Sequence, residues 1–376
     1  MPTTVRAAIL HRSPVKPPFR QTLPLSVETV RLDDPGHGEV LVRMAAAGLC
    51  HSDLSVINGD RMRPVPMALG HEASGIVERC GPGVEDLRPG DHVVMVFVPS
   101  CGHCGPCASG RPALCEPGAA ANTGGTLLSG EIRIHGAEGP VYHHIGVSAF
   151  ADAAVVSRRS LVKVPRHLPL DVAALFGCAV LTGVGAISNT ADVAVGERVA
   201  VVGLGGVGLA AVLGALASGA AEVIAIDLDP AKLKTALALG ATSAFDASQE
   251  GLVMLVRDAT QGGVDVALET AGVAAALETA FDITRRGGRT VSAGLAHPDA
   301  RFALSPVKLV AEERTLRGSY LGGGVPARDI ARMIALFEAG RLPVDKLMTG
   351  TSPLDEINEA FDLLQTGAAV RHLISF

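Results

Sequence analysis

Residues 198–208 read Arg-Val-Ala-Val-Val-Gly-Leu-Gly-Gly-Val-Gly. An apolar run ends in Gly203, and Gly203, Gly205 and Gly208 stand in GxGxxG spacing. From Gly206 and Val207 the chain continues as GVGLAAVLGALA, apolar over helical length. Strand, glycine turn and helix in that order make a phosphate cradle. The first glycine allows the tight turn, the second lets backbone N–H groups approach a pyrophosphate, and the third packs helix against strand. In a glycine-rich chain the spacing alone is common; the flanking strand and helix make it specific. Asp227 closes the next apolar run, 19 positions after Gly208. A carboxylate there can accept both ribose hydroxyls and repels a 2′-phosphate, so the reading favours NAD over NADP. Lys232 is placed for a ribose or adenine-side contact.

Outward from this loop the rhythm is strand, helix, strand. Candidate strands are Arg198–Gly203, Glu222–Asp227, Thr242–Asp246, Val264–Thr270, Arg289–Gly294 and Thr315–Tyr320, which predicts a doubly wound parallel sheet. Upstream, the first 165 residues hold short strands such as Glu39–Ala45, Ala73–Arg79 and His92–Val98, cut by Gly and Pro, as in a barrel-like all-β unit. Downstream, Asp329–Ala339 and Leu354–Gln365 read as amphipathic helices and Val370–Phe376 as a last strand. This non-repeating tail is expected to fold back on the N-terminal unit.

Composition narrows the function. The chain has 376 residues and is 48% hydrophobic, enough for large cores and too long for one simple domain. A net charge of −6, the lack of a basic run and an aromatic content of 3% argue against a nucleic-acid partner. The N-terminus carries Arg6 and no apolar signal segment, and the glycines within Val199–Leu216 fit a nucleotide fold better than a membrane span. A cytoplasmic protein without membrane attachment is the expectation.

Four of the seven cysteines, Cys101, Cys104, Cys107 and Cys115, stand as C-x2-C-x2-C-x7-C in a glycine- and proline-rich loop. Four crowded thiols suit a closed tetrahedral Zn²⁺ of structural type, with an iron–sulfur cluster as the rival. His103 would be a fifth ligand and is read as solvent-exposed. Cys50, His71 and Cys178 are dispersed, and each alone could be an ordinary buried side chain.

GLCHSD (48–53), GHE (70–72), the four-cysteine lobe, GCAVLTG (177–183), GLGGVG (203–208) and the ending INEAFDLLQTGAAVRHLISF (357–376) together resemble the zinc-dependent medium-chain alcohol dehydrogenases, in their long-loop branch. The resemblance spans nearly the whole chain. It implies an α/β protein: a GroES-like β-barrel catalytic domain, 1–179 and 323–376, plus a doubly wound Rossmann cofactor domain, 180–322. It implies two Zn²⁺ per chain, NAD, a small alcohol or aldehyde as substrate, and a homodimer, with a tetramer as the alternative.

Residue by residue, Cys50, His71 and Cys178 match catalytic zinc ligands, with Glu72 as an alternate ligand. Two thiolates and an imidazole leave a fourth position for substrate. Ser52 matches the hydroxyl that takes the alcohol proton. His51 matches the next relay member, near the cofactor phosphate. Asp53 and Glu72 match carboxylates that orient ligands, Phe97 a substrate-pocket wall, Thr182 a nicotinamide contact and Arg371 a cofactor phosphate contact. Blander roles suit some of them: Asp53 a helix cap, Thr182 a core hydroxyl, Arg371 a surface charge. Arg61 and Arg63 stand where the glutathione-dependent formaldehyde dehydrogenases carry acids, which disfavours S-(hydroxymethyl)glutathione oxidation. They suit a solvated loop or a pocket mouth tolerant of anions. A non-catalytic NAD- and zinc-binding relative is the remaining alternative. His135, His143 and His144, in the segment 119–145, receive no function, and Cys80 is left as a spare thiol.

Overall fold

The computed structural model describes residues 3–367 and 369–376. The chain forms two compact units. The first comprises Met1–Cys178, Val325–Ala331 and Met348–Phe376, and the second Ala179–Gly324 and Arg332–Leu347. The tail therefore does not return as the single piece 323–376, because residues 332–347 pack with the second unit.

In the first unit a closed barrel runs Thr3–Leu10, Leu25–Leu32, Ile134–Gly136, Gly139–His143 and Met67–Ala68. The segment 119–145, unassigned from sequence, thus supplies two of its strands. Alternating inward residues, among them Ile9, Leu32, Leu41, Ile134, Val141 and Val155, fill a shared core. Each such fully buried aliphatic side chain contributes about 1.5–3 kcal/mol relative to exposure. A second sheet orders Leu161–Val164, His92–Met95, Glu72–Cys80, Glu39–Gly48, Arg371–Ser375 and Met348–Pro353, with Ala153–Ser157 also paired to Glu39–Gly48. The strand expected over His92–Val98 stops at Met95, where its pairing with Leu161–Val164 runs out. The helix expected from Leu354 begins as a 3-10 turn and becomes α-helical over Ile357–Gln365.

The second unit carries a six-stranded parallel sheet in the order Ser243–Asp246, Glu222–Asp227, Arg198–Val202, Val264–Glu269, Thr284–Ser292 and Thr315–Gly318. Numbered along the chain this is 3-2-1-4-5-6, the doubly wound order, whose switch point lies at the carboxyl end of the first strand. Strands buried on both faces read as continuous apolar runs, which is why RVAVV and EVIAID were visible. The strand expected from Arg289 begins earlier, at Thr284, and absorbs Gly287 and Gly288 through a register irregularity. Among the described residues no helix is long and apolar enough to cross a membrane.

Candidate active site and metal centres

The glycine turn is built as its spacing requires. Gly203 has φ +94°, and a Cβ there would lie 2.7 Å from the Ala271 nitrogen. A Cβ on Gly208 would lie 1.9 Å from the Gly203 carbonyl oxygen, so helix Gly206–Ala217 sits against the strand end only because that position is bare. Gly205 is different: no protein atom lies within 4 Å of where its Cβ would be. Its backbone is extended (φ −69°, ψ −173°), which any residue adopts, so neither strain nor the protein's packing demands glycine. The bare position leaves room for a ligand to approach the backbone closely. Asp227 ends its strand with one carboxylate oxygen accepting the Leu204 N–H at 2.6 Å and the other accepting the Asp229 N–H at 2.9 Å. Lys232 is half-buried in helix Pro230–Leu239, whose N-cap is Asp229. Thr182 is buried in helix Ala179–Gly185 of the same unit.

In the first unit, Cys50, His71 and Cys178 are all buried, and their ligand atoms lie within 4.8 Å of one another. Cys50 precedes helix His51–Ile57, and His71 precedes strand Glu72–Cys80. Nδ1 of His71 lies 3.0 Å from Asp53 Oδ2, an ionic contact without hydrogen-bond alignment, and Nε2 too is buried with no hydrogen-bond partner. An imidazole with one nitrogen facing a carboxylate and the other unpaired, beside two thiols, is a donor set that fits Zn²⁺. The Cys50 thiol is held well below its ordinary value by the hydrogen bond from Cys178. The charges of His71 and Arg371 assist, against the effect of burial. A thiol poised for thiolate form is what metal ligation needs.

Asp53 is not a helix cap. Its side chain is fully buried between His71 and His144, and Oδ1 accepts the Gly70 N–H at 2.9 Å. Burial alone would raise its pKa. The positive charge of His71 and the hydrogen bonds of His144 and His71 overcome this and hold the carboxyl well below its usual range. Nor is Arg371 a surface charge. It is 4% exposed, lies 3.6 Å from Glu72 Oε2 and donates to the Leu49 carbonyl at 3.1 Å. Glu72 is likewise fully buried beside the same cluster.

Ser52 is half-buried and His51 exposed at the start of their helix. Phe97 packs edge-on to His71 with ring centroids 5.3 Å apart. Its carbonyl accepts from Asn122 Nδ2 at 2.7 Å, and Arg63 donates to the Asn122 carbonyl at 3.3 Å. Arg63 is thus half-buried against helix Glu116–Gly124 rather than free in a solvated loop.

The ligand atoms of Cys101, Cys104, Cys107 and Cys115 also lie within 4.8 Å of one another. Backbone N–H groups point at the sulfurs: Cys104 to Cys101 at 3.3 Å, and Cys101 and Gly118 to Cys115 at 3.2 and 3.3 Å. Backbone N–H bonds, the first from His103, pull the Cys101 thiol down to about 6. Four convergent sulfurs with N–H donors behind them fit a closed tetrahedral ion. His103 is exposed, and among the described residues its ring bonds locally, to the Cys101 carbonyl. All seven cysteines are free thiols, and Cys80 is half-buried against the Leu87 carbonyl.

Residues 36–166 match the family model described as "Alcohol dehydrogenase GroES-like domain", and residues 206–339 match "Zinc-binding dehydrogenase". An NDMA-dependent alcohol dehydrogenase of Amycolatopsis methanolica is 39% identical, over 98% of each chain. A crystal structure of an alcohol dehydrogenase zinc-binding domain protein from Burkholderia ambifaria is 35% identical, with TM-score 0.94 and full coverage of both chains. The benzyl alcohol dehydrogenase of Acinetobacter calcoaceticus is 30% identical, with TM-score 0.93, covering 100% of this chain and 99% of that one.

Proposed function

The chain belongs to the zinc-binding alcohol dehydrogenase family, and from that premise we propose that it transfers a hydride between a primary alcohol, or its aldehyde, and NAD. At the coarser level it is a zinc-dependent alcohol oxidoreductase. The observation that carries the reading is the buried cluster of Cys50, His71 and Cys178, with His71 Nε2 left unsatisfied. These three would hold the catalytic zinc and leave its fourth position to substrate, while Cys101, Cys104, Cys107 and Cys115 would hold the structural one.

When bound, zinc supplies Lewis-acid polarisation of the substrate oxygen and NAD supplies the hydride acceptor. The chain's own residues do the rest. Ser52 takes the alcohol proton, and the exposed His51 passes it on to solvent. Phe97 offers an apolar wall beside His71. The second unit binds the dinucleotide: Gly205 to Gly208 face the pyrophosphate, Asp227 the ribose, Lys232 the adenine side and Thr182 the nicotinamide. Arg371 serves first to neutralise Glu72 and Cys50, the charges it faces.

Support for an aromatic alcohol among the substrates comes from the benzyl alcohol named for the Acinetobacter enzyme. The NDMA named for the Amycolatopsis relative supports a second reading, in which turnover needs that acceptor. We take the assembly to be a homodimer. Strand Thr315–Gly318 lies at the edge of its sheet, and Val307 and Val310 are 70% and 75% exposed in the preceding helix. Steady-state turnover of primary, secondary and aromatic alcohols with NAD⁺, with NADP⁺, and with each plus NDMA tests the proposal. NAD⁺-dependent oxidation of primary or benzylic alcohols is expected. Oxidation only with NADP⁺, or only when NDMA is added, would overturn it.

A further inference from the structure

His143, the last residue of the barrel strand Gly139–His143, and His144, directly after it, have no part in the mechanism above. His144 is 2% exposed, and its Nδ1 lies 3.0 Å from Asp53 Oδ1. The opposite oxygen, Oδ2, lies 3.0 Å from Nδ1 of His71. One carboxylate is therefore bracketed by two buried imidazoles, whose rings meet edge-on at 5.6 Å and 81°.

The loop that delivers His144 is built at a conformational cost. Ile145 and Ser148 have φ of +41° and +56°, the left-handed region that L side chains avoid, and Ile145 is β-branched. Such backbone persists only where neighbours over-determine it. Here they do. The His144 N–H donates to Ser148 Oγ at 2.9 Å, and the Val147 N–H to the His144 carbonyl at 3.1 Å. The Ala149 and Phe150 N–H groups donate to the Gly70 and Leu69 carbonyls, both at 3.0 Å, on the segment that leads into His71. Loop 144–150 and the His71 segment are thus one fixture. A Cβ on Gly70 would meet the Phe150 nitrogen at 2.6 Å, so the two backbones touch there.

We propose that His144 is a positioning residue of the zinc site. Its Nδ1, 3.0 Å from Oδ1, steadies the Asp53 carboxylate by close ionic contact, and Asp53 in turn steadies the ring of His71 with Nε2 turned to Cys50 and Cys178. Among the described residues Asp53 Oδ1 otherwise keeps the Gly70 N–H, and a carboxylate held at one end can swing away from His71. Outer partners of a metal-bound histidine set its tautomer and orientation, and their loss costs about 10–100-fold in metal affinity. The inference rests on the reading of Cys50, His71 and Cys178 as zinc ligands.

The test measures zinc per chain and zinc transfer to a chromogenic chelator in the intact protein. His144→Leu removes the donor. His144→Asn places an amide nitrogen where Nδ1 stood, whereas His144→Gln places it where Nε2 stood. His144→Leu and His144→Gln are expected to loosen the zinc held by Cys50 by about 10–100-fold, with His144→Asn within about threefold of wild type. The zinc of the four-cysteine lobe should be unchanged in all three. Should His144→Leu fail to fold, the Asn and Gln pair decides. Equal retention by Asn and Gln, wild-type retention by Leu, or parallel loosening of both zinc ions would overturn the role of His144. A wild-type chain holding no zinc at Cys50 would overturn the ligand reading itself, and this inference with it.

Discussion

Asp227 and Leu204 are joined across the cofactor turn: the strand-end carboxylate accepts the backbone N–H of Leu204 at 2.6 Å. The acid that would meet the ribose therefore also shapes the glycine loop that would meet the pyrophosphate. Its second oxygen is held by the Asp229 N–H, so the carboxylate is fixed at both ends. Two effects follow from Asp227→Ala. Loss of the charge relieves repulsion of a 2′-phosphate, and like-charge contacts cost several kcal/mol, so preference for NAD⁺ over NADP⁺ should fall at least about tenfold in kcat/KM. Loss of the Leu204 contact should also raise KM for NAD⁺. Asp227→Asn, which keeps an acceptor, should show the first effect with less of the second. An unchanged NAD⁺ to NADP⁺ ratio in Asp227→Ala would remove Asp227 from cofactor choice.

His143 sets a stability prediction separate from the metal. It is fully buried, its Nε2 accepts the Arg133 N–H at 3.1 Å, and burial, with the Arg133 charge, pushes its pKa down to about 3 from 6.5. The folded state thus holds this ring neutral while the unfolded chain protonates it below pH 6.5. A base with a lowered folded pKa contributes stability that is complete above 6.5 and is lost as pH falls from 6.5 toward 3. The loss runs at about 1.4 kcal/mol per pH unit for one proton. His143→Gln offers an acceptor to the same N–H without titrating. Chemical denaturation at pH 7, 6, 5 and 4.5 should show a flatter decline for the variant than for wild type, and parallel curves would refute the assignment.

The four-cysteine lobe predicts a colourless metal. Cys107→Ser should lower zinc from about two to one per chain and lower Tm, because a structural zinc contributes folding energy directly. NAD⁺ binding by the other unit should be intact. Visible absorption and iron in the wild-type protein would instead identify a cluster.

Much of this was legible in the sequence, for reasons the structure makes plain. The doubly wound sheet was readable because its strands are buried on both faces and so carry unbroken apolar runs, with Gly203 to Gly208 marking the turn. The four-cysteine lobe was readable because its ligands are neighbours in the chain. The dispersed set of Cys50, His71 and Cys178 was reachable only by resemblance, since it is assembled by tertiary packing. The barrel strands Ile134–Gly136 and Gly139–His143 are too short for periodicity to reveal. The contacts of Arg371 and His144 lay beyond reach for a related reason: Arg371 on Glu72 and His144 on Asp53 join distant segments, and nothing local to either residue announces its partner.

The most direct test of the account is metal analysis joined to turnover in Cys178→Ala. Polarisation of the substrate oxygen by a metal is worth several kcal/mol, so the account predicts that zinc falls from about two to one per chain and that alcohol oxidation falls by about a thousandfold or more, while NAD⁺ still binds. Full alcohol oxidation by a Cys178→Ala protein holding a single zinc would contradict it.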